Sequence, residues 1–84
     1  PMPRRKEISF ENKDFYYRMA LNITYYRRKA GLTQEKLAEK ADISRSFLSA
    51  IEAPNMIKVF SLEVLFNISR ALEIEPSQLL EKNH

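Results

Sequence analysis

The stretch Gln34-Glu35-Lys36-Leu37-Ala38-Glu39-Lys40-Ala41-Asp42-Ile43-Ser44-Arg45-Ser46-Phe47-Leu48-Ser49-Ala50-Ile51-Glu52 divides into two short helical patterns about Asp42. Leu37, Ala38 and Ala41 fall on one face of the first pattern at helical spacing. In the second, Leu48 and Ile51 share a face, which leaves Arg45, Ser46, Ser49 and Ala50 on the other. Asp42 sits where the chain must turn. Such a corner calls for a left-handed backbone, which Gly adopts most easily and Asp or Asn next. Ile43 is placed to plug the corner and Ser44 to cap the second helix. Thr33 stands ready to cap the first, with Lys36 rather than Glu three positions on, so no full capping box forms. Ala38 is small enough to let the two helices cross closely.

Outward from this pair, the rest also reads as helix. Phe15, Met19, Ile23, Tyr26 and Ala30 make one apolar stripe, which predicts a helix from about Lys13 to Ala30 with Asn12 or Asp14 as its cap. The basic turn Arg27-Arg28-Lys29 and then Gly31 suit its end. Downstream, Pro54 stops the helix that begins at Arg45 and pushes Ala53 toward extended geometry. Residues 53–60 form an apolar loop. Ser61 caps a fourth helix with the stripe Leu62, Leu65, Ile68 and Leu72, and Pro76 opens a short fifth helix to about Glu81, anchored by Leu79 and Leu80. The fold class is therefore all-α, a compact five-helix bundle. Residues 1–12, with Pro1, Pro3 and Arg4-Arg5-Lys6, are expected to be a flexible arm, and residues 13–84 the folded domain.

Composition narrows the function. A chain of 84 residues holds one core. Cysteine is absent and the only histidine is His84, so neither a disulfide framework nor a thiolate metal site can form. No apolar run approaches the length of a membrane span, and no apolar segment follows the basic start as in a signal peptide. A cytoplasmic protein with no membrane partner is expected. There is no Gly-rich phosphate loop, and the carboxylates are scattered over helix faces, so neither an enzyme, a cofactor, a metal nor a small-molecule substrate is expected. The net charge of +3 is uneven: residues 1–45 hold 11 Lys and Arg against 6 Asp and Glu, residues 46–84 hold 3 against 5. The basic half includes the first helix of the central pair and the start of the second, and a charge of this size steers a chain toward a polyanion.

An exposed second helix set behind a first is the layout of a DNA-binding helix-turn-helix, whose second helix enters the major groove. From about Leu21 to Leu80 the chain resembles the Cro and phage-repressor, or Xre, family. The resemblance rests on Tyr26-Arg27 before Gly31-Leu32-Thr33-Gln34, then Leu37-Ala38, Ala41, Ser44-Arg45-Ser46-Phe47-Leu48-Ser49 and Ile51-Glu52. Ser61-Leu62, Leu65, Ile68, Ala71-Leu72, Pro76 and Leu79-Leu80 continue it.

That resemblance implies a lambda-repressor-like bundle and a double-stranded DNA partner. It implies that Gln34 meets a phosphate and that Ser44, Arg45 and Ser46 meet base edges, with Arg45 suited to guanine. Ser49 would supply single hydrogen bonds, and Phe47 would either lie beside the DNA backbone or pack. Ala50 stands where many relatives read a base with a longer side chain. Arg27 and Glu52 resemble a pair that joins the first helix to the end of the third by a partly buried salt bridge. The implied function is a sequence-specific transcriptional regulator, a repressor acting as a homodimer on a near-palindromic operator. The alternative is a protein-interaction or antitoxin-like module that keeps the fold with weak base readout. Asp42 in place of the usual Gly, Ala53-Pro54, the long loop and Phe60 depart from the pattern. The apolar loop Met56-Ile57-Val59-Phe60 and the fifth helix are candidates for the dimer surface, the loop equally for packing on its own core.

Overall fold

Serine and threonine hydroxyls start three of the four α-helices in this computed structural model, which describes residues 10–82. The helices are α1 (Lys13–Lys29), α2 (Gln34–Ala41), α3 (Arg45–Glu52) and α4 (Leu62–Leu72), with 3-10 turns at Phe10–Asn12 and Pro76–Leu80. Thr33 Oγ1 accepts the Lys36 N–H at 3.0 Å, Ser44 Oγ the Phe47 N–H at 3.0 Å, and Ser61 Oγ the Val64 N–H at 3.2 Å. Each hydroxyl satisfies an amide that the helix itself leaves without a partner.

Helix α1 begins differently. Asn12 makes no side-chain cap, because the 3-10 turn before it runs straight into the helix. Three residues of the expected arm are thus part of this turn. Residues 1–9 of the expected arm, Arg4-Arg5-Lys6 among them, lie outside the described residues.

Three helices end in one way. At Gly31, Asp42 and Glu73 the backbone turns left-handed, with φ of 74°, 58° and 59°. The next residue then reaches back: the N–H groups of Leu32, Ile43 and Ile74 donate to the carbonyls of Arg27, Ala38 and Ser69, each at 3.0 Å. These are Schellman closures. Asp42 occupies the geometry that the sequence demands of it. Glu73 does the same with no local signal, since a glutamate rarely adopts this conformation.

The core gathers Ile23 from α1, Leu37, Ala38 and Ala41 from α2, Leu48 and Ile51 from α3, Leu65, Ile68 and Leu72 from α4, and Leu79 from the last turn. Met19, Tyr26, Ile43, Phe47 and Phe60 pack around them. The expected stripes run past this core at both ends. Phe15 is 50% exposed and Leu62 68%, although their spacing continues the apolar faces. Ala30 and Leu80 are likewise exposed. Helical spacing fixes a direction around the axis. It does not fix where along the axis the neighbouring helices stop.

The expected fifth helix is instead a 3-10 turn, Pro76–Leu80, so the described residues hold four α-helices. A buried polar residue that the sequence did not flag holds this turn in place. The Asn22 amide donates to the carbonyls of Leu79 and Glu81, both at 2.8 Å. Glu81 is extended, with ψ of 149°, which ends the turn.

Candidate functional site

The chemistry gathers around α3. Its last residue, Glu52, is gripped by two other helices. Arg27 Nε donates to Glu52 Oε2 at 2.8 Å and Nη2 to Oε1 at 3.0 Å, a two-pronged ion pair. The third guanidinium nitrogen, Nη1, donates to the Leu32 carbonyl at 2.9 Å. Gln34 Nε2 donates to Glu52 Oε1 at 3.0 Å. The two charged side chains are only 11% and 4% exposed. A fork-to-fork pair fixes direction as well as distance. One carboxylate therefore joins the end of α1, the start of α2 and the end of α3, and sets the tilt of α3 against both.

The other end of α3 is open. Ser44, Arg45 and Ser46 are exposed, and the Ser44 and Ser46 hydroxyls lie 3.4 Å apart. Ser44 accepts the Phe47 amide, and of the two serine hydroxyls either can donate to the other, which leaves one hydroxyl proton of the pair for an outside acceptor. Arg45 faces Thr33, Gln34 and Glu35 across a concavity between the beginnings of α2 and α3. A second concavity begins at Gln34 and runs past Ser49 to Ala53 and Pro54. Both share Gln34, so the first turn of α2 and the outer side of α3 make one continuous surface. Unpaired amides at the start of α2 give that surface a fixed partial positive charge.

The residues singled out in the sequence divide into three groups. Ser44, Arg45 and Ser46 stand together and exposed. Ser49 and Ala50 are half-buried farther along the same helix. Gln34 is shared between the surface and the Glu52 carboxylate. Phe47 is half-buried against the core, with the Lys58 ammonium 5.3 Å from its ring centroid. Lys58 was missed. It is an isolated cation in an apolar loop, and only the folded chain brings it beside α3. Glu35 adds an opposing negative charge at the rim. Among the described residues, no three or more of His, Cys, Asp and Glu gather as a metal site, and no helix is long and apolar enough to cross a membrane.

Comparison with known proteins is consistent in sequence and in shape. A family model described as helix-turn-helix matches residues 23–79. The HTH-type transcriptional regulator SinR of Bacillus subtilis (strain 168) is 36% identical over 62 residues, which are 74% of this chain and 55% of SinR. The chain thus spans about half the length of that curated relative. The solved N-terminal DNA binding domain of SinR superposes with a TM-score of 0.72 and 32% identity, covering 81% of this chain and 97% of that one. The restriction-modification controller protein C.AhdI from Aeromonas hydrophila gives 0.70 and 28%, covering 76% and 94%. The hypothetical transcription factor NHTF from Neisseria gives 0.74 and 27%, covering 96% and 87%.

Proposed function

The chain belongs to the helix-turn-helix family, and we propose that it is a sequence-specific regulator of transcription that binds double-stranded DNA. The observation that carries this reading is the exposed first turn of α3, Ser44-Arg45-Ser46, on a helix whose far end is locked through Glu52. Laid in a major groove, that turn meets base edges. Arg45 is built for the paired acceptors of guanine, and Ser44 and Ser46 for single hydrogen bonds. Gln34 and the first turn of α2 then face a phosphate, as helix N-termini favour. Phe47 packs inward, and Lys58 above it supplies a cation for the DNA backbone. The relatives' descriptions as transcriptional regulator and DNA binding domain support the same reading.

One such domain makes few base contacts, so useful affinity calls for two copies. A homodimer would set two recognition helices about 34 Å apart on a near-palindromic operator. Its surface is drawn from exposed apolar side chains, with Leu62 and Phe66 one turn apart on α4 and Met56, Val59 and Leu80 also exposed. Phe60, in the same loop, packs on its own core instead. The proposed action is repression in the cytoplasm, by occupying DNA that polymerase needs.

The test is selection of bound sequences from random duplex DNA with the purified protein, followed by affinity measurements at several salt concentrations. A palindromic motif and an affinity that falls steeply with salt are expected. No enrichment and no salt-sensitive binding would instead support a protein-interaction module. The short Ala50 and the acidic Glu35 and Asp42 near the reading surface favour that second reading.

A further inference from the structure

The face of α1 that turns away from the core adjoins the surface described above at Thr24, Arg28, Glu52 and Pro54, but Tyr17, Leu21 and Tyr25 lie outside it. Tyr17, Leu21 and Tyr25 follow one another along it, one turn apart, with Leu21 69% and Tyr25 40% exposed. Two open concavities meet on this ridge. One extends past Arg18 toward Lys82, the other past Arg28 and Lys29 toward Pro54, and Leu21 and Tyr25 line both. The rim is cationic. Arg18, Arg28, Lys29 and Lys82 border it, against Asp14 and a Glu52 carboxylate already held by Arg27. Two of the cations are steadied by rings: Arg18 lies 5.3 Å from the centroid of Phe15, and Lys29 5.7 Å from that of Tyr25.

We propose that this face docks an acidic amphipathic helix of a protein partner. An apolar ridge between two grooves is the surface on which a second helix packs, with its own ridges seated on either side. Central apolar anchors within a charged rim are the anatomy of a protein interface. The charge selects the occupant. A second copy packed two-fold by this same face would set these cations against their own kind. Duplex DNA would satisfy the cations but leave Leu21 and Tyr25 against a phosphate backbone, where they have nothing to bury. Carboxylates flanking an apolar stripe satisfy both parts.

The probe is a helical peptide of about 18 residues, five turns, with Leu on one face and Glu on the others. A matched peptide carries Lys in place of Glu. Both are titrated into the isotope-labelled chain and followed by amide NMR. The acidic peptide is expected to shift Tyr17, Leu21, Tyr25 and Lys82, and the basic peptide to leave them unmoved. Leu21→Glu should weaken the acidic peptide by about tenfold, while its melting temperature and its retention on duplex DNA stay those of the parent. Shifts centred on Gln34 and Arg45 would overturn the proposal, as would equal binding of both peptides. A dimer in light scattering that Leu21→Glu dissolves would assign the face to a second copy and overturn it as well. DNA binding can fail or succeed without altering these readouts.

Discussion

The two ends of α3 are built on opposite plans. At its C-terminal end a single carboxylate accepts from Arg27 and Gln34 and is nearly withdrawn from solvent. At its N-terminal end a serine cap and an exposed arginine face solvent. A buried ion pair contributes little net stability compared with apolar packing, but it is costly to break and exacting in geometry. The cap at Ser44 contributes only about 1 kcal/mol to folding, and the exposed Arg45 keeps its hydrogen-bonding capacity for a partner. One end thus fixes where the helix points, and the other leaves Arg45 open to solvent, where the proposed function has it read.

The sharpest way to break this contrast is at Glu52. Glu52→Ala should cost about 3 kcal/mol in urea unfolding, because it strands a largely buried guanidinium. A cost below about 1 kcal/mol, the range of an exposed ion pair, would mean that the pair does not hold the helix. Asn22→Ala tests holding elsewhere. It leaves the Leu79 and Glu81 carbonyls without their donor and should cost about 2 kcal/mol, with hydrogen exchange rising first in residues 76–80. Ser44→Ala should cost about 1 kcal/mol, the worth of an N-cap. If it cost as much as Glu52→Ala, the two ends of α3 would be equally structural. Glu73→Gly should raise stability by about 0.5–1 kcal/mol in thermal melts, since it relieves a left-handed glutamate.

Much of this was legible because short polar side chains announce helix starts. Thr33, Ser44 and Ser61 each cap the helix that their position predicts, and Asp42 turns the corner between α2 and α3. The core of α2 and α3 followed from spacing alone. What escaped has physical causes. Phe15 and Leu62 continue apolar stripes but extend past the helices that could cover them. Asn22 and Ser69 are buried polar residues, which apolar periodicity cannot distinguish from surface ones; their partners are the carbonyls of Leu79, Glu81 and Phe66. The turn Pro76–Leu80 starts on its own Pro76 and a Glu75–Gln78 capping box, but its end is held by the distant Asn22, which no local pattern announces. In the candidate site, Arg45 and its serines were evident as the outer side of an amphipathic helix. The grip of Gln34 on Glu52 and the approach of Lys58 to Phe47 exist only in three dimensions.

The most direct test of the division between holding and reading is the affinity of Arg45→Ala for the selected duplex and for the same duplex changed one base pair at a time. The account predicts lost discrimination at one base pair in each half-site, worth about 1–3 kcal/mol, in a protein whose unfolding free energy stays within about 0.5 kcal/mol of the parent. Unchanged discrimination at every position, or a large loss of stability, would contradict it.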